Sequence, residues 1–178
     1  MLTDEGAAVR KTVLATFDPR DVAKAERVWA GWEESNPWLE LEFMLPGKCV
    51  QYKRHRQGRW NYVDKDLQKW QDELRGFLQR ELPPDFIPPQ GEVRVWLEVY
   101  KMPPKSTAKY RLVLMEMGLI RPEKTPDADN YIKSVLDGMN TVAWADDAQC
   151  TLEQCEKFYS LKPRIEVRVE YRQHRIDK

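Results

Sequence analysis

A chain of 178 residues with 42% hydrophobic content is long enough to bury one core with a small appendage and too short for two full domains. Lys plus Arg and Asp plus Glu each number 29, so the net charge is zero and selects no partner; the placement of the charges has to decide. Three cysteines, Cys49, Cys150 and Cys155, make no disulfide framework, and no segment approaches the ~20 apolar residues of a membrane span or opens as a leader, so a soluble cytoplasmic protein with no membrane partner is expected.

In chain order, Val9, Val13 and Phe17, then Val22, Ala25, Trp29 and Trp32, recur at helical spacing on either side of Asp18-Pro19, which predicts two short amphipathic helices. Alternation of Leu39, Leu41, Phe43 and Leu45 with Glu40 and Glu42 predicts a strand that ends at Pro46-Gly47. Leu67, Trp70, Leu74, Phe77 and Leu78 place a helix over 65–80, and the segment PPDFIPPQG cannot continue it. Val93, Val95, Leu97 and Val99 mark a second strand, 149–160 a less cleanly patterned one, and Ile165, Val167, Val169 and Tyr171 a last one. Two further helices are expected at about Ser106–Met117 and Asn130–Asn140. The fold class is therefore α/β of the α+β type: a compact mixed β-sheet packed with helices over 38–178, preceded by an N-terminal helical extension over 1–37.

Positive charge is concentrated in two acid-free runs. From Phe43 to Val63 stand Lys48, Lys53, Arg54, Arg56 and Arg59, interleaved with Tyr52, Trp60 and Tyr62, and from Val99 to Met115 stand Lys101, Lys105, Lys109 and Arg111. Such runs serve solvation or a nucleic-acid surface, and the aromatics favour the second. With Ser106 capping the helix, Lys105 would sit at a helix N-terminus, a place that suits a docked phosphate.

Carboxylates gather around one short helix, in Thr125-Pro-Asp-Ala-Asp-Asn-Tyr-Ile-Lys133 and Trp144-Ala-Asp-Asp-Ala-Gln149. Ile132, Val135, Leu136 and Met139 share its inward face, while Asp129, Lys133 and Asp137, four apart, share another. Magnesium takes oxygen ligands, keeps several waters and is held by a few carboxylates plus substrate phosphate, which converging aspartates satisfy. The competing structural reading makes Asp129 an N-cap, Asp137 a partner for Lys133, and Asp146-Asp147 a turn. A calcium loop of the EF-hand type lacks its third ligand, its Gly and its closing Glu. A zinc site from the cysteines with His55 or His174 has no usual ligand spacing.

At these residues the chain resembles the RusA family of Holliday junction resolvases, whose signature is Pro-Asp-x-Asp-Asn-x-x-Lys followed by aromatic-x-Asp-Asp-x-Gln; here it reads PDADNYIK and WADDAQ. The resemblance extends through Pro46-Gly47-Lys48 and Pro104-Lys105-Ser106, over roughly Leu39 to Tyr171. It departs at Thr125, where a basic residue usually precedes the proline and Lys124 lies adjacent, at Cys49, which replaces a common proline, and in the additional residues 1–38. The resemblance implies a homodimer that nicks four-way DNA junctions symmetrically, in recombination and repair, using Mg²⁺ with Mn²⁺ as a substitute. It implies catalytic roles for Asp127, Asp129, Asp147 and Lys133, metal ligation by Asp127, Asp129 and Asp147 with Asp146 as a further candidate, and a bacterial or phage origin. DNA contacts are expected from Lys48, Lys53, Arg54, Arg56, Arg59, Lys105, Lys109 and Lys124. Trp144 either stacks on an unpaired base or packs against the Asp-Asp turn. The alternatives are a junction-binding protein that does not cut, and a nuclease for other branched substrates.

Overall fold

The computed structural model describes residues 4–52 and 64–176. By its internal contacts the chain divides into one unit of residues 1–37 with 176–178 and another of residues 38–175. The first carries α1 (Asp4–Leu14) and α2 (Pro19–Ser35). Asp18 caps α2 by accepting from Arg20 N–H at 2.7 Å, with Pro19 at the first helical position, where its missing N–H and fixed φ cost nothing. No residue of α2 is buried.

The second unit contains β1 (Leu39–Pro46), α3 (Lys65–Glu81), β2 (Val93–Lys101), α4 (Lys109–Glu116), α5 (Ala128–Met139), a single 3-10 turn at Asp147–Gln149, β3 (Cys150–Tyr159) and β4 (Arg164–Tyr171). The strands form one mixed sheet in the order β1-β4-β2-β3, in which β4 runs antiparallel to both β1 and β2, and β2 and β3 run parallel. The α+β class expected from the sequence is the class observed.

Alternation determines which face of the sheet is covered. Val93, Val95, Leu97 and Val99 of β2 and Ile165, Val167 and Val169 of β4 are buried on one face. They form one core with Leu67, Trp70, Leu74 and Leu78 of α3 and Tyr131, Ile132, Val135, Leu136 and Met139 of α5. The two helices are also tied by hydrogen bonds, Gln71 Nε2 donating to the Ser134 carbonyl at 3.2 Å and Arg75 to the Asp137 carbonyl at 3.1 Å. The opposite face is polar and aromatic, with Arg168 paired to Glu40 at 3.0 Å and Arg164 lying 3.6 Å over the Tyr100 ring.

One helix boundary departs from the expectation. α4 begins at Lys109, three residues after Ser106, and its N-cap Ala108 makes no side-chain capping bond. Residues 104–107 instead close a turn in which the Thr107 N–H and hydroxyl both donate to the Pro104 carbonyl, at 3.0 and 2.7 Å. A local side-chain bond competes here with helix extension. Lys105 therefore lies within this turn and not at a helix N-terminus.

Gly91 stands where two backbones approach: its N–H donates to the Arg172 carbonyl at 3.2 Å. A Cβ at this position would lie 2.5 Å from that same oxygen and against the His174 carbonyl. Gly91→Ala should accordingly destabilise by displacing backbone. Leu74→Ala, which truncates a side chain with no exposure, should cost about 2–5 kcal/mol; urea unfolding of both variants measures these losses.

Burial also raises the thiols from their ordinary value near 9. Cys155 is pushed up to about 11 and Cys150 to about 12, with burial the main cause in both, and Cys49 is raised by burial with Cys155 adding. The unfolded thiols lose their protons first as pH rises, so this contribution to stability is complete below about pH 8.5 and is lost as pH climbs from there through about 12. At pH 8 iodoacetamide should modify these cysteines slowly in the folded protein and quickly in denaturant, as mass spectrometry can follow.

Candidate functional site

The packing of α5 determines where the acidic residues stand. Its N-cap is Asp127, in extended conformation after a cis Thr125–Pro126 bond, and Asp129 lies in its first turn. The Asp127 side chain makes no capping hydrogen bond, although Asp is a favoured capping residue. Asp129 accepts from the backbone N–H of Asn130 at 2.9 Å and from its side-chain amide at 3.1 Å. Both carboxylates are exposed and line an open cleft of about 630 Å³ with Gln51, Tyr52, Thr125, Pro126 and Asn130.

Lys133, one turn further along α5, stands 3.5 Å from Asp137 and 5.2 Å from the centre of the Tyr52 ring. Its side chain is 51% exposed and that of Asp137 32%, so this pair contributes little to stability and is easily exchanged for another anion. The Tyr52 N–H donates to the Asn130 carbonyl at 2.9 Å, which pins to α5 a residue of the first basic run. Lys53, Arg54, Arg56 and Arg59 themselves lie outside the described residues.

Asp146 and Asp147 occupy the opposite end of the sheet. The turn they begin leads into β3, and the Gln149 amide at its close donates to the carbonyls of Pro89 and Gly91, at 3.0 and 2.7 Å, just before β2 starts. Asp129 faces the far half of β3: its charge acts on Cys155, whereas that of Asp147 acts on Cys150. Lys157 Nζ, further along β3, donates to the Pro126 carbonyl at 2.9 Å. Lys157 is seven strand steps beyond Cys150, which at ~3.3 Å each puts the two ends ~23 Å apart. The 12-residue α5 is likewise ~18 Å long.

The sequence expectation of three aspartates converging is thus met by two of them within one chain. Among the described residues no group of three or more His, Cys, Asp or Glu side chains is placed to hold a metal ion. Asp146 is engaged in a capping box, accepting from Ala148 N–H at 2.9 Å while its own N–H donates to Gln149 Oε1 at 2.8 Å. Trp144 is fully buried, which leaves its packing reading and excludes base stacking. Asp147 is exposed.

The remaining basic candidates fall on two sides of the acidic pair. Lys48 follows the Gly47 turn, where a φ of 107° suits glycine. Lys124 lies three residues before Asp127 and lines a cleft with Arg111, Arg121 and Tyr159. Lys105 and Lys109 are exposed beside the start of α4. Two lysines not counted among the expected DNA contacts also reach this end of the sheet. Lys101 closes β2 with its Nζ 6.0 Å from the Tyr131 ring, and Lys157 clasps the 124–126 loop. Lys101 belongs to an acid-free run and so carried a signal; Lys157 sits among charges of both signs and carried none.

A family model described as Endodeoxyribonuclease RusA matches residues 46–170, which include every element from the Gly47 turn to β4. An uncharacterized protein of Bacillus subtilis (strain 168), YqaN, is 41% identical over 81 residues, 44% of this chain and 57% of that relative's length. The chain belongs to the RusA endodeoxyribonuclease family.

Proposed function

We propose that this protein is a divalent-metal-dependent endodeoxyribonuclease that resolves four-way DNA junctions by paired nicks, in recombination and repair in a bacterial or phage setting. The observation that carries the reading is the pair Asp127 and Asp129, exposed on one cleft beside Lys133. Phosphate binding alone gains nothing from two carboxylates at that place, since like charges repel. A Mg²⁺ site needs few protein ligands, one or two carboxylates with waters and substrate phosphate completing the shell, and the uncapped Asp127 with Asp129 fits that need. Mn²⁺ suits the same oxygen donors.

Asp127 and Asp129 would hold the ion, which when bound supplies Lewis acidity toward the phosphodiester and a water acidic enough to act as nucleophile. Lys133 leaves Asp137 and meets the phosphate oxygens, where charge gathers as the bond to the leaving oxygen breaks. Fixed positive charge is most effective there because α5 is held rigidly by its packing. The family resemblance implies 5′-phosphate and 3′-hydroxyl products.

The distance between Asp129 and Asp147 within one chain supports a site completed by a second copy. In a two-fold dimer the relation is reciprocal: if Asp147 of one copy reaches the Asp127 and Asp129 of the other, both sites are completed at once. Two such sites on opposed strands suit a junction of near two-fold symmetry. The same distance is the one observation that favours the second reading, a junction-binding protein that does not cut.

Cleavage of a labelled four-way junction in Mg²⁺, with binding recorded in Ca²⁺, separates the two readings. Asp129→Asn should lower cutting by ~10²-fold or more while binding is kept. Binding without cutting by the wild-type protein, across several divalent ions and junction sequences, would establish the second. Lys133→Ala should lower kcat by ~10²–10³-fold. Asp137→Ala, which removes only its half-buried ion-pair partner, should leave stability within about 0.5 kcal/mol.

A further inference from the structure

At the end of the sheet that bears Asp127 and Asp129, three lysines from three separate elements come together. Lys48 follows the turn after β1, Lys101 is the last residue of β2, and Lys157 lies on β3 opposite Val99 in the parallel register. That register puts Lys157 on the face covered by α5, where its Nζ donates to the carbonyls of Pro126 and Lys124, at 2.9 and 3.4 Å, directly before Asp127. Lys48 and Lys101 line a cavity of about 320 Å³ with Cys49, Tyr100, Met102 and Tyr131.

We infer that Lys48, Lys101 and Lys157 form an anion subsite beside the carboxylate pair, which takes a backbone phosphate flanking the one that is cut. The inference rests on the DNA-cutting reading and adds to it the groups that position the strand. Like charges gathered in a partly buried place repel one another, and the arrangement is sustained when an anion is bound among them. The electrostatic surroundings of Lys101 are consistent with such crowding: burial, then Lys157, then Lys48 pull its pKa down. Among the described residues none of the three forms an ion pair.

A purely structural role accounts for Lys157, whose ammonium holds two loop carbonyls. It does not account for Lys101, whose one ring contact, at 6.0 Å, lies at the outer limit of a cation–π interaction. A half-buried ammonium with no ion pair among the described residues is the state expected of a phosphate-binding lysine in the absence of its phosphate. Lysine serves such sites as a point charge and needs no fixed fork geometry.

Junction affinity measured in Ca²⁺ against salt concentration tests the subsite. Lys101→Gln should reduce the slope of log K against log salt by about 0.7–0.9, the value for one lost phosphate contact, and raise KM for cutting in Mg²⁺ about 10-fold. Lys101→Arg should restore the slope. Lys69→Gln, an exposed site on α3, should leave it unchanged. An amine-reactive label applied to the wild-type protein should spare Lys48 and Lys101 when junction DNA is bound, which checks the subsite without any substitution. If the wild type cuts but the Lys101→Gln slope is unchanged or Lys101 is labelled equally with and without DNA, the subsite is overturned and the nuclease reading stands. If the wild type neither binds nor cuts DNA, both fall.

Discussion

α5 buries seven of its twelve residues against α3 and the sheet, and the positions of the acidic pair, of Lys133 and of the loop clasped by Lys157 all follow from that burial. Tyr131, Ile132, Val135, Leu136 and Met139 each remove an apolar side chain from water at ~1.5–3 kcal/mol, an upper estimate because the unfolded chain is itself partly compact. The Lys133–Asp137 pair on the outer face, at 3.5 Å, contributes at most ~1 kcal/mol. Packing therefore sets the geometry and the charges are carried by it. Such a scaffold can present two carboxylates and an ammonium that are not needed for stability and are available to a ligand.

The same packing keeps the two halves of the acidic signature apart. α5 and β3 run past each other, so that Asp127 and Asp129 meet the far half of β3 while Asp147 precedes its start. Lys133 lies one turn along α5 from Asp129, and Lys157 clasps the loop directly before Asp127. Cations therefore flank the exposed carboxylates of Asp127 and Asp129. β2 and β3, the parallel pair, both finish at that edge, the end of parallel strands at which open sheets commonly place ligands.

Periodicity in the sequence made α3, α5, β2 and β4 legible, because each has one buried face and Val, Leu and Ile recur at the spacing that face demands. α4 was misjudged at its start because Ser106 resembles a cap, while Thr107 forms a turn with Pro104 that only the backbone reveals. The motif at 126–133 was legible as a carboxylate cluster, and Asp127 and Asp129 do line one cleft. That Asp147 lies at the opposite edge was not legible: spacing along the chain gives the face of a helix, not which end of the sheet a later turn reaches. Lys157 was hidden for a related reason, since its neighbours Lys101 and Pro126 are brought to it by strand pairing and helix packing over long stretches of chain.

The claim on which the account turns is that one active site draws its carboxylates from two copies of the chain, and mixing two inactive variants tests it directly. Asp129→Asn and Asp147→Asn chains, each inactive alone, should regain junction nicking when mixed and allowed to exchange subunits. Every mixed dimer then carries one site with both lesions and one with none, so an equal mixture should approach about a quarter of the wild-type site count. Asp127→Asn mixed with Asp129→Asn should not recover, because both lesions fall in the same half of the site. Failure of the first mixture to recover, with subunit exchange demonstrated, would contradict the shared site.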